Sequence, residues 1–303
     1  MKNPTFASTP PSNFTTDLAC ERKKANTKLS GVEETEANYP HTHLHQIRIT
    51  SQEGADSLGK PKGTYVTLSH GPAFSLWGEV RKELSENLEH ALRSLAQPFL
   101  QNKSKKALTL LVAGLGNRRL TADAIGPRCA DAVNATYHLR TMAKDLFEKM
   151  DCAGICVLSP GVLAQTGVEA SSLVCETAKD IKADLVIAID ALAAHSVTRL
   201  ARTIQLCDTG VSPGGGIGNH RTPITKETVG APVIAIGVPT VVHSTTLISD
   251  AFERSGADAL PDDLLSKLKQ DGFFVSPKDI DQTTDTLAHI IAEVINRTWG
   301  VVQ

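Results

Sequence analysis

The chain has 303 residues, 41% of them hydrophobic and 21% charged, with a formal net charge of −2. That length supplies core for one large domain or two modest ones, and the near-neutral balance carries no basic footprint for nucleic acid. The opening MKNPTFASTPPSNFTTDLACERKK lacks the apolar core of a signal peptide, and no run reaches the roughly 18 apolar residues of a membrane span, so a soluble cytoplasmic protein is expected.

Residues 1–40 are rich in Ser, Thr, Pro, Asn and charge and read as a loosely ordered arm. HLHQIRIT (43–50) and GTYVTLS (63–69) then alternate apolar and polar residues, as half-buried strands do. His41, His43 and His45 share one strand face and could ligate a metal, although a solvated strand edge accounts for them better. Val80, Leu84, Leu88, Leu92 and Leu95 recur at helical spacing and predict an amphipathic helix. From there the pattern becomes α/β. ALTLLVAGLGN (107–117), ICVLSPG (155–161), DLVIAID (184–190) and APVIAIGVPTVV (231–242) are apolar runs typical of buried strands. Helical sequence follows the first from about Asp123 and the second over 169–180, while RTIQL (202–206) alternates like an edge or antiparallel strand. Leu287, Ile290, Ile291, Val294 and Ile295 form one face of a closing helix, with Pro277 near its start. Strands alternating with helices predict a mostly parallel sheet with helices on both faces. The six cysteines are scattered and expected to stay reduced; Cys152 and Cys156 lack a partner pair at zinc-finger spacing.

In an open α/β sheet, ligands bind beyond the carboxyl ends of the strands. Asp190 ends DLVIAID, and Asp123 lies in the loop-to-helix turn after LTLLVAGLGN. Neighbouring parallel strands lie about 5 Å apart, so the two carboxylates can share a crevice. In contact, they cannot easily both ionise; the pair then shares a proton and can serve as base and acid together. Asp123 could equally be a first-turn carboxylate facing a helix dipole. Asp190 is harder to explain structurally, because a charge delivered by a buried strand needs a partner or a cleft.

Asp208-Thr209-Gly210 is the tripeptide that carries the catalytic carboxylate of pepsin-like and retroviral aspartic proteases, but such sites need two copies and this chain has one. Gly114-Leu115-Gly116-Asn117 begins like a dinucleotide fingerprint, yet Arg119 stands where the third glycine belongs. The run Gly214-Gly215-Gly216-Ile217-Gly218-Asn219 could aim backbone N–H groups at an anion or developing oxyanion, and a plain flexible loop explains it as well. His195 is a possible base or a surface histidine. The sequence has no phosphate loop and no HExxH helix.

Long motifs resemble the germination protease family of spore-forming bacteria. They include TDLACE (16–21), LGKPKGTYVTL (58–68), GLGNRRLTADAIGP (114–127), LSPGVLAQTGVEAS (158–171) and ADLVIAIDALAAHS (183–196). TIQLCDTGVSPGGGIGN (203–219), ITKETVGAPVIAIGVPTVV (224–242) and VSPKDID (275–281) complete a likeness spanning nearly the whole chain. The resemblance implies an aspartic-type endopeptidase that degrades small acid-soluble spore proteins in the spore core, on a fold shared with the hydrogenase-maturation proteases. It places the essential aspartates at Asp123 and Asp190, makes the pepsin-like tripeptide coincidental, and leaves Asp208, Asn117, Gly116 and Gly216 to support the cleft. It also implies a homotetramer without cofactor or metal, made as a zymogen. Asp17-Leu18-Ala19-Cys20-Glu21 resembles the family's cleavage site, so residues 1–17 are an expected propeptide, cut between Asp17 and Leu18, and 18–303 a single peptidase domain. Residues 243–272 are a short version of a segment that is longer in many members.

Two other readings stay open at this stage. In a metal-dependent protease on the same fold, Asp123 and Asp190 would be joined by His195, His220 or His243. In a non-catalytic protein that stores spore proteins, the cleft would bind without cutting.

Overall fold

A computed structural model describes residues 17–21, 29–101, 103–214, 221–256, 267 and 273–301. The described residues form nine strands, β1 (Val32–Asn38), β2 (His43–Ile49), β3 (Gly63–Ser69), β4 (Thr109–Gly114), β5 (Gly154–Leu158), β6 (Leu185–Ala194), β7 (Thr203–Cys207), β8 (Val233–His243) and β9 (Phe274–Val275). They form one sheet in the order β1-β2-β3-β7-β8-β6-β4-β5, with β9 added to β8. Among the described residues no helix is long and apolar enough to cross a membrane.

The sheet is mixed, which corrects the expected mostly parallel one. Only β5-β4-β6-β8 pair in parallel, while β1, β2, β3 and β7 stack antiparallel onto β8. Parallel pairs need a crossover connection, which the segments around helices 125–132 and 170–180 supply; β1 and β2 need only a turn closed by Tyr39 N–H on the Thr42 carbonyl. RTIQL, read as an edge or antiparallel strand, is antiparallel but interior, between β3 and β8.

β4 is buried along its whole length because both of its faces are covered. Leu110 and Val112 join Leu84, Leu88 and Leu92 of helix Gly78–Leu100 and Leu287, Ile291 and Ile295 of the C-terminal helix Ile280–Trp299. Leu111 and Ala113 face the other way, against Val174 and Ala178 of helix Ala170–Asp180. Each leucine fully buried in this way contributes about 1.5–3 kcal/mol.

Two parts of the arm expected to be loose are built into the fold. Val32–Asn38 pairs with β2 in full register. Its sequence, VEETEAN, conceals this because most of its side chains stand in solvent, where Glu33, Glu34 and Glu36 meet Arg48, His45 and His43. Leu18 and Ala19 are fully buried (0% exposed) in a cluster with Ile47, Ile49, Tyr65 and Leu192. Packing therefore does restrain the segment around the expected cleavage site.

Candidate active site

Asp190 is not the end of its strand. β6 continues through Ala194, with an irregularity between Leu192 and Ala193 where its register on β8 shifts. It is β4 that stops, opposite Ile189, so Asp190 is the first β6 residue beyond its neighbour. Val186 and Ala188 precede it in the cluster beneath helix Ala170–Asp180, and Leu192 and Ala194 follow it in the cluster around Leu18. Alternate residues share one face of a strand, so Asp190 places a carboxyl in the seam between two apolar clusters. It is 6% exposed.

Asp123 reaches the same seam from the loop after β4. Thr121–Asp123 forms a single 3-10 turn, closed by Asp123 N–H on the Leu120 carbonyl at 2.8 Å. One carboxylate oxygen of Asp123 accepts the Asn117 N–H at 2.8 Å. Gly116 makes that turn possible: its φ is +113°, and a Cβ there would stand 2.1 Å from the Asp123 carbonyl oxygen and 2.9 Å from its Oδ1. The Asn117 side chain in turn accepts from Arg119 N–H at 3.0 Å and Gln165 Nε2 at 2.6 Å.

Both carboxyls are pushed above the ordinary aspartate range. For Asp190 burial is the main cause, followed by the charge of Asp123; the Ala191 N–H, donated at 2.9 Å, opposes them, and the charge of Asp17 adds to the rise. For Asp123 burial is again first, offset by the Asn117 N–H and the Arg221 guanidinium. Each carboxyl therefore stays protonated to a higher pH than a free aspartate.

The seam opens into a cavity of about 290 Å³ lined by Asp17, Lys60, Tyr65, Asp190, Gln205 and Thr209, among others. Segment 17–21 lies along the edge of β6 beyond Ile189, where β4 no longer pairs. Asp17 N–H donates to the Ala193 carbonyl at 3.1 Å, and Ala193 N–H to the Asp17 carboxylate at 2.9 Å. Glu21 accepts the N–H groups of His195 at 2.7 Å and Ser196 at 2.9 Å. The carbonyl of Asp17, the acyl side of the expected cut, accepts Lys60 Nζ at 2.8 Å and Gln205 Nε2 at 3.2 Å.

The other expected site residues divide. Asp208 spends its carboxylate on the Thr64 N–H at 2.7 Å, tying the end of β7 to β3, while its neighbours Cys207, Thr209 and Gly210 line the cavity. Gly216 lies outside the described residues, as do His220 and residues 1–16. Among the described residues the group of three potential metal ligands drawn together is Glu34, Glu36 and His45, on the distant β1–β2 hairpin. His243 instead accepts the Thr245 N–H at the end of β8. Sequence reading passed over Lys60, Gln205 and Arg221. A signal existed for Gln205: in TIQLC it is an amide at an inward position of a strand buried throughout. Lys60 and Arg221 sit in polar loops and carry no such mark.

A family model described as "Germination protease" matches residues 13–254. The germination protease of Clostridium perfringens is 34% identical over 313 residues, covering 94% of each chain. That of Caldanaerobacter subterraneus is 33% identical over 307 residues, covering 93% of this chain and 92% of the relative. The germination protease of Bacillus subtilis is 36% identical over 247 residues, covering 78% and 66%. With the family model spanning most of the chain and full-length relatives above 30% identity, this chain belongs to the germination protease family and is an endopeptidase of spore germination.

Proposed function

We propose that Asp123 and Asp190 are the catalytic groups, working as a carboxyl pair with one shared proton, so that the protease is of the aspartic type. The observation that carries this reading is the burial of Asp190 in an apolar seam with the charge of Asp123 against it. Asp190 holds the proton and Asp123, kept polar by the Asn117 N–H, is ionised. Asp123 takes a proton from a water molecule as the water oxygen bonds to the peptide carbonyl carbon. The proton of Asp190 passes to the departing nitrogen as the carbon–nitrogen bond breaks. One proton remains on the pair, ready for the next turnover.

The substrates on this reading are small acid-soluble spore proteins, cut in the spore core by a homotetramer. The parallel β5-β4-β6-β8 core is taken as the fold shared with the hydrogenase-maturation proteases. The chain is a zymogen that removes residues 1–17 itself, leaving 18–303 as the peptidase domain. Supporting this, Asp17 lines the same cavity as Asp190, and its carbonyl is held by two hydrogen-bond donors. The test is incubation of purified wild-type, Asp123→Asn and Asp190→Asn chains, with N-terminal masses followed over time. A terminus at Leu18 in the wild type alone is the expected result. Equal processing in the mutants would assign the cut to another protease.

A further inference from the structure

Gln205 is a buried amide (6% exposed) whose two ends both face the chain's own N-terminal segment. Its Oε1 accepts the Ala19 N–H at 2.8 Å and its Nε2 donates to the Asp17 carbonyl at 3.2 Å. One carboxamide thus spans Leu18 and imitates a neighbouring strand, holding the groups on either side of the Asp17–Leu18 bond. Lys60 adds a charged donor to the same carbonyl oxygen at 2.8 Å. A third contact, from Ala193 N–H to the Asp17 carboxylate, holds the acidic side chain that precedes the bond. These donors come from β6, β7 and the turn before β3, and they converge on one residue that lines the same cavity as Asp190.

We infer that Lys60 and Gln205 form an oxyanion-stabilising clamp on the carbonyl of the bond to be cut, and that the Ala193 N–H selects an acidic residue before that bond. The inference rests on the proposed self-cleavage after Asp17. As water adds to the Asp17 carbonyl carbon, negative charge gathers on an oxygen already held by an ammonium and an amide N–H. Donors fixed in place before the reaction stabilise that charge more than they stabilise the neutral carbonyl. The carboxyl pair need not then protonate the oxygen, and its proton is free for the Leu18 nitrogen. The products are the Asp17 carboxyl and the Leu18 amine, with the atoms of one water added across the bond. The carboxamide of Gln205 also fixes the register, because it can bridge only groups two residues apart.

The experiment compares wild type, Lys60→Met, Gln205→Leu and Asp190→Asn as full-length chains. Appearance of the Leu18 terminus is followed by mass spectrometry, with circular dichroism to verify folding. Each chain is also given a peptide of residues 12–24 (SNFTTDLACERKK). Lys60 is half-buried, so Lys60→Met is the variant that keeps its fold. It is expected to slow both cuts by about 10²–10³-fold, the usual effect of losing one oxyanion donor, with the loss in kcat and a KM changed by less than about threefold. Gln205→Leu is expected to scatter the peptide's cleavage positions. Lys60→Met cutting at the wild-type rate would overturn the clamp and leave Lys60 as a tether. If wild type makes no cut after Asp17, or Asp190→Asn cuts as fast, self-cleavage fails and the clamp falls with it.

Discussion

Asp190 carries its carboxyl into an apolar seam with Asp123 facing it, so it stays protonated to a higher pH in the folded chain than in the unfolded one. An unfolded aspartate titrates near about 3.9. The contribution of neutral Asp190 to stability is therefore complete below that value and is lost as pH rises through the raised folded one. Asp190→Asn keeps the shape and cannot ionise. Its melting temperature should exceed that of the wild type near pH 8 and converge with it near pH 4; the reverse order would mean that the buried carboxylate is stabilised by a partner. Gly116 gives a second test at this scale. Gly116→Ala forces a Cβ to 2.1 Å from the Asp123 carbonyl oxygen at a φ of +113°, and should cost about 1–3 kcal/mol and at least ~10-fold in cleavage rate. Gly230→Ala is the control: its φ is +80° with nothing within 4 Å of the added atom, so a similar backbone cost should leave the cleavage rate of the folded fraction unchanged. Equal kinetic losses in both variants would disconnect Gly116 from the position of Asp123.

Among the elements, segment 17–21 lies along the edge of β6 and brings Asp17 to the cavity. Glu21 accepts the N–H groups of His195 and Ser196, just past the end of β6. Glu21→Ala should leave them unsatisfied at a cost of about 1–3 kcal/mol, and hydrogen exchange at His195 and Ser196 should accelerate. Unchanged exchange would show that the segment is held by Leu18 and Ala19 alone. This segment was also the least legible part of the sequence. β4, β5 and β8 are evident as apolar runs and the C-terminal helix by its spacing, because burial leaves its mark on composition. VEETEAN has no such mark, since its glutamates stand in solvent, and DLACE has too few apolar residues to show a period. Asp190 misled in another way. A carboxylate after five apolar residues reads as the end of a strand, whereas pairing with β8 carries β6 four residues further. The two aspartates of the proposed pair stand out in the sequence because each comes after an apolar run; the proposed clamp of Lys60 and Gln205 depends on β3 and β7 joining the sheet beyond β8, which no local pattern records.

For the whole molecule, the proposed shared proton sets a direction with pH. As pH falls from about 7 towards 5, more of the pair carries the single proton that catalysis needs. Self-processing should therefore accelerate over that interval, measured as the rate at which the Leu18 terminus appears. A rate that rises towards alkaline pH would point to a different base. Cleavage should also continue in EDTA or phenanthroline, since the His45 cluster lies on the far hairpin; loss restored by zinc or nickel would favour metal catalysis. The most direct measurement gives a purified small acid-soluble spore protein to wild-type, Asp123→Asn and Asp190→Asn enzyme, each prepared with its N-terminus at Leu18 so that activation is not in question. Product masses are recorded over time. The expected result is defined fragments from the wild type and less than about a tenth of its rate from either mutant, a loss above ~1.4 kcal/mol in transition-state stabilisation. A folded single mutant that retains more than a tenth of the wild-type rate would contradict the carboxyl pair as the catalytic centre.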